Sequence, residues 1–402
     1  MSPCQHSITP QPVAGVRVGS VCAGIRQPGR PDLTLIELAA GSKAGAVFTR
    51  NQFRAAPVWI AERHLSSNAP RYLLINTGYA NAGTGERGEP DALACCRAVA
   101  DNCNCAPEQV IPFSTGIIGE PLPVERVAAA IPNVCADLRE DGWEDAAWAI
   151  HTTDTRAKQV SLHFELSGGP CTITGIAKGA GMIRPNMATM LAFIATDAGL
   201  SDTALDRALR HSVGLSFNRV SVDGDTSTND ACLLAATGVG PEIEGEGADF
   251  ERFQAALDAV CIDLAKAIAA DGEGASRLVE VEVRSAVSSA EAEQVAFTVA
   301  ESPLVKTALA AADPNWGRVL AAVGRAGIAD LDVNRLRLFF GEQLIAEHGG
   351  RSNNYDEAAA AAELARPQVA VTIDLQRGNS NATVWTCDLT AEYVRINAEY
   401  RS

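Results

Sequence analysis

The sequence predicts a mixed α/β or α+β protein in which helices flank the sheets. Three observations point there. Long stretches with apolar residues at every third or fourth position alternate with short β-rich runs bounded by glycine, proline and asparagine. Hydrophobic residues make up 47% of the chain and charged residues 20%, a balance that supports packed cores and excludes disorder. A length of 402 residues suits two or three domains or one large composite unit.

Taken in order, Val13 to Ile25 and Leu33 to Phe48 read as strands with turn breaks at Gly15, Gly19 and Gly41, because glycine reaches the dihedrals that turns need. Arg71 to Asn76 is a short apolar strand running into a Gly- and Asn-rich loop, Thr77 to Gly88. Pro90 to Asn102 reads as a helix. Asp91 stands in its first turn, and Leu93, Cys96, Val99 and Ala100 recur on one side. Val160 to Leu166 and Cys171 to Ile176 are β-rich, and Ser201-Asp202 opens a helix with Leu205, Ala208 and Leu209 at helical spacing. Glu251 to Ala270 is the clearest helix, with a continuous apolar stripe from Phe253 to Ile268. Leu278 to Val283, Val295 to Val299, Val369 to Leu375 and Ala382 to Leu389 read as strands. Asp356 and Glu357 start a helix through the run Ala358 to Ala362. It ends near Arg366-Pro367, since the residue before proline is pushed out of the helical region.

Composition excludes several function classes. The formal net charge of −16 argues against a protein built on phosphate backbones or anionic lipid, and 5% aromatics is poor for a base-stacking platform. No apolar stretch approaches the length of a membrane span. Met1 to Pro12 has neither the basic start nor the apolar run of a secretory signal, so a cytoplasmic location is expected. The eleven cysteines include no second pair at zinc-site spacing, and the six histidines never form a His-x-x-x-His pair. Reduced cysteines and no metal are expected. With no phosphate-binding glycine loop after a strand, no nucleotide cofactor is expected either.

Four segments carry candidate chemistry, each beside a bland structural reading. Ala177 to Ala198 joins a polar half (Lys178, Gly179, Gly181, Arg184-Pro185-Asn186) to an apolar half from Met190, with Thr189 between. On pattern alone it is a glycine turn feeding a buried strand. Phe113 to Pro121 places Ser114 and Thr115 beside Gly116, where backbone N–H groups can turn toward an anion; a simple strand end is the alternative. Asn218 to Asp230 crowds Asp223, Asp225 and Asp230 with hydroxyls, but its spacing fails that of a calcium loop, leaving a hydrogen-bonded turn before Ala231 to Ala236. Asp271 to Ser276 follows the clearest helix. Gly272 can cap that helix, and Glu273 then stands in a polar loop, ready for a cationic group or simply solvated.

Together these segments resemble the ornithine acetyltransferase family, the glutamate N-acetyltransferases of arginine biosynthesis. The resemblance lies in Ser114-Thr115-Gly116-Ile117-Ile118-Gly119, Thr152-Thr153-Asp154-Thr155, Lys178-Gly179-Ala180-Gly181-Met182, Pro185 to Leu191 and Val222 to Asp230. Asp271-Gly272-Glu273-Gly274, Asp313 to Arg318 and Tyr393 to Asn397 complete it, in the family's order. The resemblance implies an N-terminal-nucleophile-like, self-cleaving fold, cut at Ala188–Thr189. An α chain, 1–188, and a β chain, 189–402, then stay together as a heterotetramer of two of each.

For activity the resemblance implies acetyl transfer from N2-acetyl-L-ornithine to L-glutamate through an acetyl ester on Thr189, with ping-pong kinetics and no cofactor. Family members differ in whether acetyl-CoA also donates. Thr115 and Gly116 match the oxyanion-stabilising pair. Lys178 suits a substrate carboxylate, Glu273 the δ-amine of ornithine, and Asn397 and Ser402 match the family's last substrate contacts. One threonine of Thr152-Thr153 is a further contact, and Thr153 is favoured. Three positions depart from the family pattern: Ser402 in place of threonine, Tyr79 in place of asparagine, and His151 in place of an apolar residue. Two rivals remain, an N-terminal-nucleophile amidohydrolase or aminopeptidase, and a non-catalytic small-molecule binder that kept the scaffold.

Overall fold

The computed structural model describes residues 5–7, 9–26, 29–184 and 190–399. The segment containing Ala188 and Thr189, and Ser402 at the end, lie outside the described residues. The chain forms two compact units. One comprises Met1–Gly179, Pro185–Asn218 and Thr226–Leu264; the other comprises Ala180–Arg184, Arg219–Asp225 and Ala265–Ser402.

In chain order the elements of the first unit are β1 (Gln5–Ser7), β2 (Val16–Val21), β3 (Leu33–Leu38), β4 (Lys43–Phe48), α1 (Ala56–Ser67), β5 (Tyr72–Tyr79), α2 (Gly88–Cys103) and β6 (Val110–Ile117). They continue with α3 (Val124–Ala136), α4 (Trp143–Ala149), β7 (Lys158–Leu166), β8 (Gly169–Lys178), β9 (Leu191–Thr196), α5 (Asp202–Leu215) and β10 (Ala231–Ala236); α6 (Ala248–Ala270) begins here and ends in the second unit. The strands make a six-stranded sheet, β1-β7-β8-β9-β10-β4, and a four-stranded sheet, β2-β3-β5-β6.

These two sheets face each other. Ile36, Leu73, Ile75 and Phe113 of the smaller sheet share one core with Ile176, Leu191, Phe193 and Leu233 of the larger. The Phe113 and Phe193 rings meet edge to face with centroids 4.9 Å apart, the arrangement their quadrupoles favour. The other face of the smaller sheet packs on α2 and α3, where Leu35 and Leu74 meet Cys96, Val99, Val127 and Ile131. On the far face of the larger sheet, a Cβ at Gly45 would press Leu205 of α5, and one at Gly175 would press Val260 and Leu264 of α6. The unit is therefore layered helix, sheet, sheet, helix. This layering explains the sequence pattern. The six residues of β9 and the six of β10 are all buried, because both faces of those strands are covered.

The second unit contains β11 (Leu278–Ala286), α7 (Ser289–Ala300), α8 (Pro303–Ala310), α9 (Trp316–Gly324), β12 (Arg337–Phe340), β13 (Gln343–Glu347), β14 (Gly350–Arg351), α10 (Glu357–Leu364), β15 (Gln368–Asp374), β16 (Ser380–Cys387) and α11 (Ala391–Ala398). Its sheet has the order β14-β13-β12-β15-β11-β16. Val279, Val281 and Val283 of β11 enter the core with Val295 and Val299 of α7 and Val319 and Val323 of α9. Glu280 and Glu282 take the opposite face, as the period of two requires.

The mixed α/β class and the flanking of sheets by helices stand as the sequence predicts. Four local expectations are corrected. Val295 to Val299 is helical, inside α7. Ser288 caps that helix by accepting from the Glu291 N–H, and Ala292, Val295, Ala296 and Val299 fall on one buried face. Val13 to Ile25 shortens to β2, and Gly19 lies within that strand. A Cβ there would stand 2.6 Å from the Val134 carbonyl of α3, so Gly19 serves close packing, not a turn. Gly15 and Gly41 do turn the chain, at φ +84° and +86°. Gly272 has no left-handed cap conformation; a Cβ on it would lie 2.8 Å from Cys387 Sγ, and Gly274 supplies the positive φ (+69°).

Candidate functional site

Strands β5 and β6 run parallel, and the penultimate residue of each is a glycine at positive φ: Gly78 (+124°) and Gly116 (+131°). The register slips at Gly78 and Tyr79. A Cβ on Gly116 would lie 2.2 Å from the Gly78 carbonyl carbon, so no other residue allows this approach. Polar side chains hold the irregular end. Ser114 Oγ donates to Asn76 Oδ1 at 2.6 Å, Asn76 Nδ2 donates to the Tyr79 carbonyl at 2.8 Å, and Asn229 Nδ2 donates to the carbonyls of Ala80 and Ser114 at 2.6 and 2.9 Å. Thr77 to Tyr79, expected to open a loop, extend β5 instead, and its end is the bulged partner of the Ser114-Thr115-Gly116 strand end.

Lys178 ends β8, directly paired to Leu191 of β9. Its Nζ donates to Thr115 Oγ1 at 3.3 Å, joining two motifs 63 residues apart in the chain. Both residues are buried, at 9% and 7% exposure. Behind Lys178 lies Asp154, whose Oδ1 accepts from Lys158 Nζ at 2.6 Å and from the Gly179 N–H at 2.7 Å. Its Oδ2 accepts from the Thr152 N–H at 3.0 Å and faces the Thr152 hydroxyl at 3.5 Å. Burial alone would raise the Asp154 pKa, but the charges of Lys158, Lys178 and His151 hold it well below the usual carboxylate range. Thr153, next in the turn, is half-buried.

A second carboxyl behaves oppositely. Asp230 immediately precedes β10 and is buried, and its Oδ2 has no hydrogen-bond partner among the described residues. Burial pushes its pKa well up, against smaller opposing effects of Ser227, Lys178 and Thr49. Two acids near one lysine are thus shifted in opposite directions, Asp154 down and Asp230 up.

In the second unit, Glu273 is buried, at 8% exposure. The solvated loop position is therefore not what forms. Asn397 Nδ2 of α11 donates to Glu273 Oε2 at 2.7 Å, and the Glu273 N–H donates to the Ala180 carbonyl at 2.8 Å. A Cβ on Gly181 would lie 2.5 Å from the Glu273 carboxylate, which explains the glycine. Thr390 caps α11 and donates to the Gly274 carbonyl at 2.6 Å, fixing the helix to the Glu273 loop. Asp223 accepts from the N–H groups of Met182 and Ile183 at 2.6 and 2.9 Å. Arg184 stacks on Phe297, 3.9 Å from the ring centroid, and pairs with Glu301 at 2.5 Å.

The structure therefore brings Thr115, Gly116 and Lys178 together in one unit and Glu273 and Asn397 together in the other. Thr189, Ala188 and Ser402 lie outside the described residues. Sequence reasoning gave no role to Asn76, Gly78, Asp154, Asn229 or Asp230. Asp154 and Asp230 stand inside the quoted motifs, but Asp154 also binds Lys158, outside them, and Gly179, in another, and no spacing rule links those. Among the described residues no group of three His, Cys, Asp or Glu could hold a metal, and no helix is long and apolar enough to cross a membrane.

A profile of the ArgJ family matches residues 17–402. The arginine biosynthesis bifunctional protein ArgJ of Methylococcus capsulatus is 53% identical over 393 residues, 97% of this chain and 96% of that protein. Its namesake in Pseudomonas fluorescens is 50% identical over 397 residues, 98% of each. Among solved structures, ArgJ from Bacillus halodurans is 40% identical with a TM-score of 0.49, covering 51% of this chain and 96% of that one. The ornithine acetyltransferase of Mycobacterium tuberculosis, solved with ornithine, is 36% identical with a TM-score of 0.44, covering 46% of this chain and 100% of that one. With identity of this level sustained across nearly the whole of both sequences, the chain belongs to the ArgJ family and is an enzyme of arginine biosynthesis.

Proposed function

We propose that the protein transfers an acetyl group from N2-acetyl-L-ornithine to L-glutamate through an ester on Thr189, after cutting itself at Ala188–Thr189. The Thr189 hydroxyl attacks the Ala188 carbonyl, the acyl group moves from nitrogen to oxygen, and water cleaves the resulting ester. The cut yields chains 1–188 and 189–402, assembled two of each. The new α-amine, with an ordinary pKa of about 7.7–8.0, accepts the Thr189 hydroxyl proton as that oxygen attacks the donor's acetyl carbonyl. The oxygen that becomes negative is stabilised at Thr115 and Gly116. Ornithine leaves, and the amine of glutamate then takes the acetyl group from Thr189.

The observation that carries this reading is the buried contact of Lys178 with Thr115. It sets a cation for a substrate carboxylate beside the strand end at which the oxyanion would form. The Thr152 hydroxyl faces Asp154, which supports Thr153 as the threonine that meets substrate. Glu273 takes the δ-amine, with Asn397 and Ser402 as further contacts. Relatives at 53% and 50% identity bear the name bifunctional, which supports acetyl-CoA as a second acetyl donor for glutamate.

The test uses N-acetylornithine with and without glutamate. Ornithine release that depends on glutamate supports transfer, whereas release indifferent to it makes the enzyme a hydrolase. Acetyl-CoA and glutamate alone test the second donor. Thr189→Ala should give a single uncut band on denaturing electrophoresis and no transfer, and Thr189→Ser should retain some of each. A fully cut alanine variant rules the mechanism out.

A further inference from the structure

We propose that Asp154 is the positioning residue that sets Lys178 and Thr153 for the substrate carboxylate. Lys178 and Thr153 count as substrate contacts only through the function proposed above, on which this inference rests.

One buried carboxylate touches three separate stretches. Its Oδ1 holds Lys158 Nζ at 2.6 Å and the Gly179 N–H at 2.7 Å, and its Oδ2 holds the Thr152 N–H at 3.0 Å. Gly179 is the residue after Lys178, and Thr152 the residue before Thr153. The same group therefore fixes the backbone on which each proposed contact is mounted. Gly179 has φ +151°, a conformation that favours glycine, and its N–H is held by Asp154.

The charges divide the work. The Lys158 and Asp154 side chains are both 0% exposed and pair directly, so the charge of Lys158 is answered inside the fold. Lys178 reaches past them to Thr115. A charge-assisted bond from a backbone N–H is strong and directional. Losing it lets the end of β8 shift, and a displacement near 1 Å is enough to weaken a substrate contact.

The test compares the parent with Asp154→Asn combined with Lys158→Met, which removes both buried charges together, and with Asp154→Glu, which keeps the pair but moves the acceptor by one methylene. Steady-state kinetics are measured for N-acetylornithine and glutamate, with thermal unfolding alongside. The inference expects KM for both substrates to rise about tenfold or more in each variant, with kcat changing far less, even where the unfolding temperature equals that of the parent. A parental KM in either folded variant overturns it, because a merely structural ion pair would be relieved by removing both partners. Should the double variant fail to fold, Asp154→Glu alone decides. Lys178→Ala is the control for the underlying function. If KM is unchanged there, the reading of Lys178 fails; if it rises there but not in the Asp154 variants, only the present inference fails.

Discussion

At Gly116 a hydrogen atom in place of a methyl group keeps two strand ends together. Gly116→Ala would put a carbon 2.2 Å from the Gly78 backbone, at a φ of +131°. It should cost about 1–3 kcal/mol or more of stability and displace the strand end proposed to stabilise the oxyanion, so that transfer falls with the melting temperature. An alanine variant with parental activity would show that the strand end tolerates the shift. Asp230 gives a pH-dependent prediction. Its folded pKa lies above its unfolded value of about 3.9. The folded chain thus keeps this proton longer, and stability falls as pH rises from about 4 toward the folded value. Asp230→Asn has no proton to lose. Its stability relative to the parent should therefore climb across that window and level off above it, as followed by thermal unfolding from pH 4 to 8. A difference independent of pH contradicts the raised pKa of Asp230. Asp154 has the opposite sign. Its depressed pKa contributes stability above about pH 4 that is lost as pH falls further.

Among the elements, helices with a wide apolar stripe were legible and short buried ones were not. The stripe from Phe253 to Ile268 marks α6 because one face is buried along most of its length. Residues 295–299 look like a strand because valine occurs at both ends and phenylalanine in the middle. The helix forms because Ser288 caps it and its alanines let it pack against β11 and β16. Ser288→Ala should therefore cost about 1 kcal/mol, measured as a lower urea midpoint with unchanged slope. A midpoint equal to that of the parent would mean the cap contributes nothing. In β2, Gly19→Ala should destabilise by about 1–3 kcal/mol, because the added carbon meets the Val134 carbonyl, a backbone atom that cannot rotate away.

For the whole molecule, the six-stranded sheet bears on the proposed cut. β9 and β10 follow residue 189, whereas β8 and β4 precede it, and the sheet order β8-β9-β10-β4 places the two later strands between earlier ones. Chains cut at Ala188–Thr189 should therefore comigrate in size exclusion and separate only under denaturing conditions. Two independently eluting halves would contradict this sheet order. The segments holding Thr115, Gly116, Lys178 and Glu273 stand out in the sequence as polar, glycine-bearing runs, because hydrogen-bonding capacity and charge belong to the side chain itself, and the roles proposed for them come from the resemblance to a family. The mixed class was likewise evident, since the two hydrophobic periodicities are local properties of the chain. What only tertiary structure decided are the pairings between distant segments, Lys178 with Thr115, Asp154 with Gly179 and Asn397 with Glu273, and the opposite pKa shifts of two similar aspartates. Such pairings depend on burial and on which strand ends meet, and in a chain of this length those are set by the packing of both sheet faces and by no single stretch of sequence.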